Sequence, residues 1–201
     1  NSIPSGSDSV HRELMELYLG KVAAELGALI DGRAEFPNTE SWRTVYEKLL
    51  RSPDIVDYRS VAWVKTSDYW QDLPAQQSMK LNFELIDRGV RVERILIMGW
   101  HLWPPESRLP SSLVRRWIDD QHYRGIAISL VRESELLNEP DLLRDFGIYG
   151  DRATGEQELD EQSRTNRFIL NFDQPSIRAA VDRWERLKLF SRPYSELLDQ
   201  Q

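Results

Sequence analysis

The chain has 201 residues, 40% of them hydrophobic and 29% charged, with a formal net charge of -7, which is the length and composition of one ordinary globular domain with a buried core. The absence of cysteine excludes disulfides, thiolate nucleophiles, Cys-ligated zinc and iron–sulfur clusters. The negative balance argues against a nucleic-acid backbone or an anionic membrane as partner, since both are held through clustered Lys and Arg.

The opening segment from Asn1 to Asp8 has no signal-peptide pattern, and no Met stands at position 1; the expectation is a piece of a larger cytoplasmic protein. From Val10 to Ile30, apolar residues at Leu14, Tyr18, Val22, Leu26 and Ile30, widened by Met15, Leu19 and Leu29, predict a long amphipathic helix. Asp8 or Ser9 would cap it and Gly32 would stop it. The width of the stripe favours packing on a sheet over a narrow coiled-coil seam; the alternative is a helix that runs on from upstream and pairs with its copy in a homodimer. A second helix follows Pro37, with Trp42, Val45, Leu49 and Leu50 on one face, and should end at Ser52-Pro53.

The pattern changes between Ile55 and Val64, which is β-branched and aromatic without helical spacing, and predicts a strand. A helix from Pro74 to Arg88, closed by Gly89, leads to a second strand from Val90 to Met98. After a loop from Gly99 to Pro110, Ser111 or Ser112 caps a helix that ends at Gly125, and Ile126 to Val131 is a third strand. Strands separated by helices imply a parallel βαβαβ core. Beyond Pro140, Asp145 to Tyr149, Glu156 to Leu159 and Arg167 to Phe172 read as short strands that extend the sheet antiparallel. Asp173 as cap and Pro175 in the first turn open a closing helix through Ile177, Val181, Trp184 and Leu187. The fold class expected is α/β, a mixed sheet with a parallel core, an antiparallel extension and an N-terminal helical segment. Residues 1–52 form that segment, packed on or leading into a domain of residues 53–201.

From about Ile55 to Ser195 the chain resembles one half of the phospholipase D-like fold. The likeness lies in the helix ending Asp87-Arg88-Gly89-Val90-Arg91-Val92, the helix ending Arg124-Gly125-Ile126-Ala127-Ile128, the strand pair around Asp145-Phe-Gly-Ile-Tyr-Gly-Asp151, and the closing helix. Active members carry His-x-Lys-x4-Asp, in which the histidine attacks phosphorus and the lysine steadies the phosphoryl oxygens. With Asp151 on the motif aspartate, Arg144 and Phe146 fall on the histidine and the lysine, and the Gly-Ser-x-Asn that follows the motif is absent. The resemblance therefore implies a scaffold without its chemistry: a non-catalytic sensory or interaction domain of a larger bacterial signalling or regulatory protein. The alternative is a divergent phosphodiesterase or nuclease that draws its histidine from elsewhere, His101 being the candidate.

Ligands of open parallel sheets bind beyond the carboxyl ends of the strands. The loops there hold Tyr69 and Trp70 after the first strand, Trp100 and His101 after the second, and Arg132 after the third. Aromatic faces with one Arg suit a small planar or anionic ligand, and equally the centre of a protein interface. Arg144 and Asp151 complete the candidate set as anion-binding remnants of the motif. His11 and His122 read as a solvated helix residue and a helix-end cation. The acidic stretch from Asp151 to Glu161 reads as a solvated hairpin, since it lacks calcium-loop spacing. No phosphate loop, nucleophile elbow or His-Glu-x-x-His helix occurs, and neither cofactor nor metal is expected.

Overall fold

The computed structural model describes residues 9–37, 39–69, 71, 73–159 and 165–199. Helix α1 (Ser9–Ile30) leads through Gly32, at a positive φ of 79°, into a short strand β1 (Arg33–Phe36). Helix α2 (Thr39–Arg51) precedes the alternation β2 (Asp57–Val64), α3 (Leu73–Asp87), β3 (Arg91–Met98), α4 (Ser112–Tyr123) and β4 (Ala127–Arg132). Two 3-10 turns, Glu133–Leu136 and Pro140–Leu142, carry the chain to β5 (Asp145–Tyr149). Then follow β6 (Ala153–Leu159), β7 (Thr165–Asn171), α5 (Gln174–Phe190), β8 (Arg192–Pro193) and α6 (Tyr194–Asp199).

The eight strands form one sheet in the order β1-β7-β6-β5-β2-β3-β4-β8. Strands β2, β3 and β4 are mutually parallel, with Val61 opposite Ile95 and Ile95 opposite Ser129. They are apolar on both faces because both faces are covered, the condition that makes a parallel sheet possible. The connection from β4 to β5 contains no crossover helix. It passes over one face, burying Leu136 and Leu142, and places β5 antiparallel on the free edge of β2, with Phe146 opposite Val61. From there β6, β7 and β1 continue antiparallel.

Period-2 alternation divides the core into two layers. On one face Tyr58, Ala62, Val64, Leu96, Leu130, Tyr149 and Phe168 pack with residues from α2, α3, α4 and α6. On the other, Val61, Ile95, Ile97, Val131, Phe146 and Ile148 pack against Ala180, Trp184 and Leu187 of α5. Helix α5 starts as the sequence requires, with the Asp173 carboxylate accepting from the Ser176 amide at 2.8 Å.

The first layer contains a buried cation. Arg94, 3% exposed at the middle of β3, donates to Ser60 Oγ at 2.9 Å, Asn82 Oδ1 at 2.9 Å and Gln121 Oε1 at 2.5 Å. Asn82 in turn donates to Tyr46 Oη at 2.8 Å, so one guanidinium ties β2, β3, α2, α3 and α4 together. Five donors in a fixed fork can satisfy several acceptors at once, which an ammonium cannot do in the same geometry.

Three features differ from the sequence reading. The stripe of α1 does not pack on the sheet: the helix has no buried residue, and Leu17, Tyr18, Leu19 and Leu26 are all exposed. Strand β1 was not foreseen; it pairs with β7 and, with α2, belongs to the main body, so the stretch read as one N-terminal helical segment is divided. Strand β8 and helix α6 were also unforeseen, and α6 buries Tyr194 and Leu197 under the far edge.

Removing the guanidinium strands its acceptors in the core. Arg94→Ala is expected to lower stability by about 3–5 kcal/mol in urea unfolding; a loss below about 1 kcal/mol would show that the network does not hold the layers.

Candidate functional site

The carboxyl ends of β2, β3 and β4 and the amino end of β5 share one rim of the sheet. At its centre lies Asp145, a side chain of the first β5 residue turned into the α2–α4 layer and 5% exposed. One of its oxygens accepts from the Tyr69 hydroxyl at 2.5 Å and from the Trp63 backbone amide at 3.2 Å. Burial pushes the Asp145 carboxyl up to about 7, against the opposing effects of the Tyr69 and Trp63 hydrogen bonds and the Lys65 charge. Burial and the neighbouring Asp145 carboxylate hold the Tyr69 phenol well above its usual range. On the other face of β2, the Trp63 indole donates to Glu133 at 3.0 Å, and Lys65 Nζ lies 3.7 Å from the Trp63 ring centroid.

The positions that the sequence placed at the phosphoryl chemistry are neighbours on the α5 side. Arg144 is half-exposed and donates to Glu156 on β6, whose second oxygen lies 3.7 Å from Arg183 of α5. Phe146 is buried, with the Arg183 guanidinium 5.4 Å from its ring centroid. A guanidinium, an aromatic ring and a carboxylate thus form one cluster on the α5 side of the rim. Of the three, only the Glu156 carboxylate is a nucleophile toward phosphorus, and its two oxygens are engaged by Arg144 and Arg183. Asp151 lies at the opposite end of β5, roughly 20 Å away at the rise of an extended strand; it is exposed, and its carbonyl accepts from Gln174 at 3.3 Å.

The remaining candidates divide into exposed and structural groups. Trp100 is 68% exposed and meets the exposed His101 edge to face, with ring centroids 5.9 Å apart. Arg132 is not an open cation. It is 8% exposed, donates to the Ser107 carbonyl at 2.7 Å and to Glu135 at 3.3 Å, and stacks 4.1 Å from the Trp103 ring centroid. Together with the Trp103 indole, which also donates to Ser107, it pins the β3–α4 loop. Tyr69 is likewise buried rather than displayed, and Trp70 lies outside the described residues. Beside the rim, an open groove of about 730 Å³ runs between Ser67, Asp68 and Gln71 on one side and Leu113, Arg116 and Asp120 of α4 on the other.

Sequence reasoning passed over Asp145, Trp63, Glu133, Glu156 and Arg183. Asp145 did carry a signal, an acidic residue opening an apolar strand, but its partner Tyr69 is distant in sequence. Among the described residues no three His, Asp or Glu side chains gather as metal ligands.

The raised Asp145 carboxyl has a pH consequence with a definite sign. The folded state binds the proton more tightly than the unfolded state, so the stability this group contributes is full below about pH 4 and is lost as pH rises through about 7. Asp145→Asn should therefore gain on the parent protein as pH rises from 4 to 8, by an amount on the order of 4 kcal/mol. Parallel stability–pH curves for the two proteins would refute the assignment.

No protein-family profile matches the sequence, and no curated protein matches it. Solved structures do match. Nuc from Salmonella typhimurium, described as a phospholipase D family member, superimposes with a TM-score of 0.52 at 13% identity, over 76% of this chain and 90% of its own. NucT from Helicobacter pylori gives a TM-score of 0.53 at 11% identity, over 80% of this chain and 98% of its own. TrmBL2, an archaeal chromatin protein with a novel mode of DNA binding, gives 0.50 at 11% identity, over 90% of this chain and 65% of its own. The parallel β2–β4 core, the antiparallel β5–β7 extension and the closing α5 are a phospholipase D-like fold.

Proposed function

We propose that this chain is a non-catalytic binding domain that keeps the phospholipase D-like scaffold as a regulatory or interaction module of a larger protein. What supports the reading is the state of the two side chains that fall on the nucleophile and its lysine when Asp151 is laid on the motif aspartate: Arg144 is paired to Glu156, and Phe146 is buried against α5. A phosphodiesterase of this type needs a group that forms a covalent phosphoryl intermediate and a cation for the equatorial oxygens. Arg144 supplies charge only, already shared with Glu156, and Phe146 supplies neither. Function resides in sites rather than folds, and TrmBL2 bears the same fold under a description that names binding and no reaction. The DNA binding named for TrmBL2 is not carried over, because a net charge of -7 disfavours a phosphate backbone. The groove beside α4 and the exposed Trp100–His101 pair are the surfaces offered to a small anionic or planar ligand or to a protein partner.

The competing reading, a divergent phosphodiesterase, would have to recruit His101 as nucleophile. The purified chain is expected to show no turnover of bis(p-nitrophenyl) phosphate, single- or double-stranded DNA, or phosphatidylcholine vesicles above that of its His101→Ala variant. No phosphorylated protein should accumulate on alkaline quench, which preserves a phosphohistidine. Turnover that follows the protein through purification and disappears in His101→Ala would replace the binding reading with the enzymatic one.

A further inference from the structure

The surface feature least explained by the fold is α1. It has 22 residues, about 33 Å of helix, and nothing of it is buried. Val10, Leu14, Met15, Leu17, Tyr18, Leu19, Val22, Leu26, Leu29 and Ile30 are all exposed, far beyond the scattered apolar residues normal on a protein surface. Gly20 and Gly27 lie inside the helix with no neighbouring atom within 4 Å of either added Cβ position. A helix with two interior glycines and an unburied apolar stripe is poorly sustained in water by propensity alone.

The spacing identifies what would cover it. Met15, Leu19, Val22, Leu26 and Leu29 follow one another at intervals of 4, 3, 4 and 3 residues, a mean repeat of 3.5. That repeat stays in register only with another helix, which it meets by knobs-into-holes packing. Helices α2, α4, α5 and α6 already direct side chains into the two core layers, and α3 does so through Leu81 and Leu85. The seam is also compatible with itself. Its only charged member is Arg12, at the open end one turn before Met15, while Glu13 and Lys21 lie behind it and Glu16 and Glu25 at its flanks.

We propose that α1 is the dimerisation element of this protein, pairing with α1 of a second copy along Met15, Leu19, Val22, Leu26 and Leu29. The contact strip of two such helices removes on the order of 600 Å² from each copy, at the lower end of specific interfaces. The association is therefore concentration-dependent. The pairing leaves the sheet and its rim untouched, since no α1 side chain reaches the core layers. It is independent of whether the rim binds or catalyses.

The test is analytical ultracentrifugation of the full chain over a concentration series. The expected result is a reversible approach to twice the 23.5 kDa monomer mass. In Leu19→Glu/Leu26→Glu the dissociation constant should rise by roughly 100-fold or more, to a monomer throughout. The near-ultraviolet circular dichroism of the tryptophan-rich body should be unchanged, because these side chains touch nothing in it. Leu17→Glu, on the opposite side of the helix, should still dimerise. A parent chain that is monomeric at tens of micromolar, or a double variant with undiminished association, would overturn the proposal. So would an association broken by Leu17→Glu and not by the double variant.

Discussion

The pairing of β5 with the free edge of β2 is the constraint from which the rest of the rim follows. Antiparallel register sets Phe146 opposite Val61 and Gly147 opposite Ser60, and a strand allows its side chains only two directions. Asp145, Gly147 and Tyr149 therefore face the α2–α4 layer, and Phe146 and Ile148 face α5. A shift of one residue would bury Asp145 under α5 and turn Phe146 toward Tyr69. The register is held from both sides. Tyr149 stacks on Tyr58 with centroids 5.3 Å apart, and Phe146 lies in the same cluster as Trp184. Gly155, opposite Gly147 on β6, has Phe168 Cζ only 2.4 Å from where a Cβ would stand, so the next strand is fixed by close packing as well.

The same register sets what positions 144 and 146 do in this chain. Positions 144 and 146 project toward α5. In this chain α5 answers with Arg183, and β6 with Glu156. The ion pair and the aromatic ring complete the α5 packing at its edge. On the opposite face the Asp145–Tyr69 pair and the Arg94 network sit in the core. Both are buried polar systems with several hydrogen bonds, which favour one arrangement of the layers over its competitors.

Much of the architecture was legible from local signals. The three parallel strands announce themselves because burial on both faces leaves unbroken apolar runs, and α5 because Asp173 and Pro175 mark its start. The fold family could be read from the helix-Arg-Gly-Val steps and from the stretch between Asp145 and Asp151. What was not legible depends on distant partners. Arg132 looked like a free cation at a strand end, yet Trp103 and Ser107 enclose it. Tyr69 looked like a stacking face, yet its hydroxyl serves Asp145. Strand β1 is only four residues between a glycine turn and a proline, and its strand character comes from β7 alone. Helix α1 misled for a different reason: a wide apolar stripe fits a sheet as readily as a helix, and the strict 4-3-4-3 seam within it was hidden by flanking apolar residues.

The proposed function turns on position 146 belonging to the core and not to a phosphate site. Thermal unfolding of Phe146→Lys, with and without inorganic phosphate, tests it most directly. A lysine in a phosphate site would be solvated and stabilised by the anion, whereas one beneath Trp184 is a buried charge beside a cavity, facing a Glu156 carboxylate already held by Arg144 and Arg183. The account predicts a fall in Tm of roughly 10 °C or more, unrelieved by phosphate. A Tm close to that of the parent protein, rising further when phosphate is added, would contradict it.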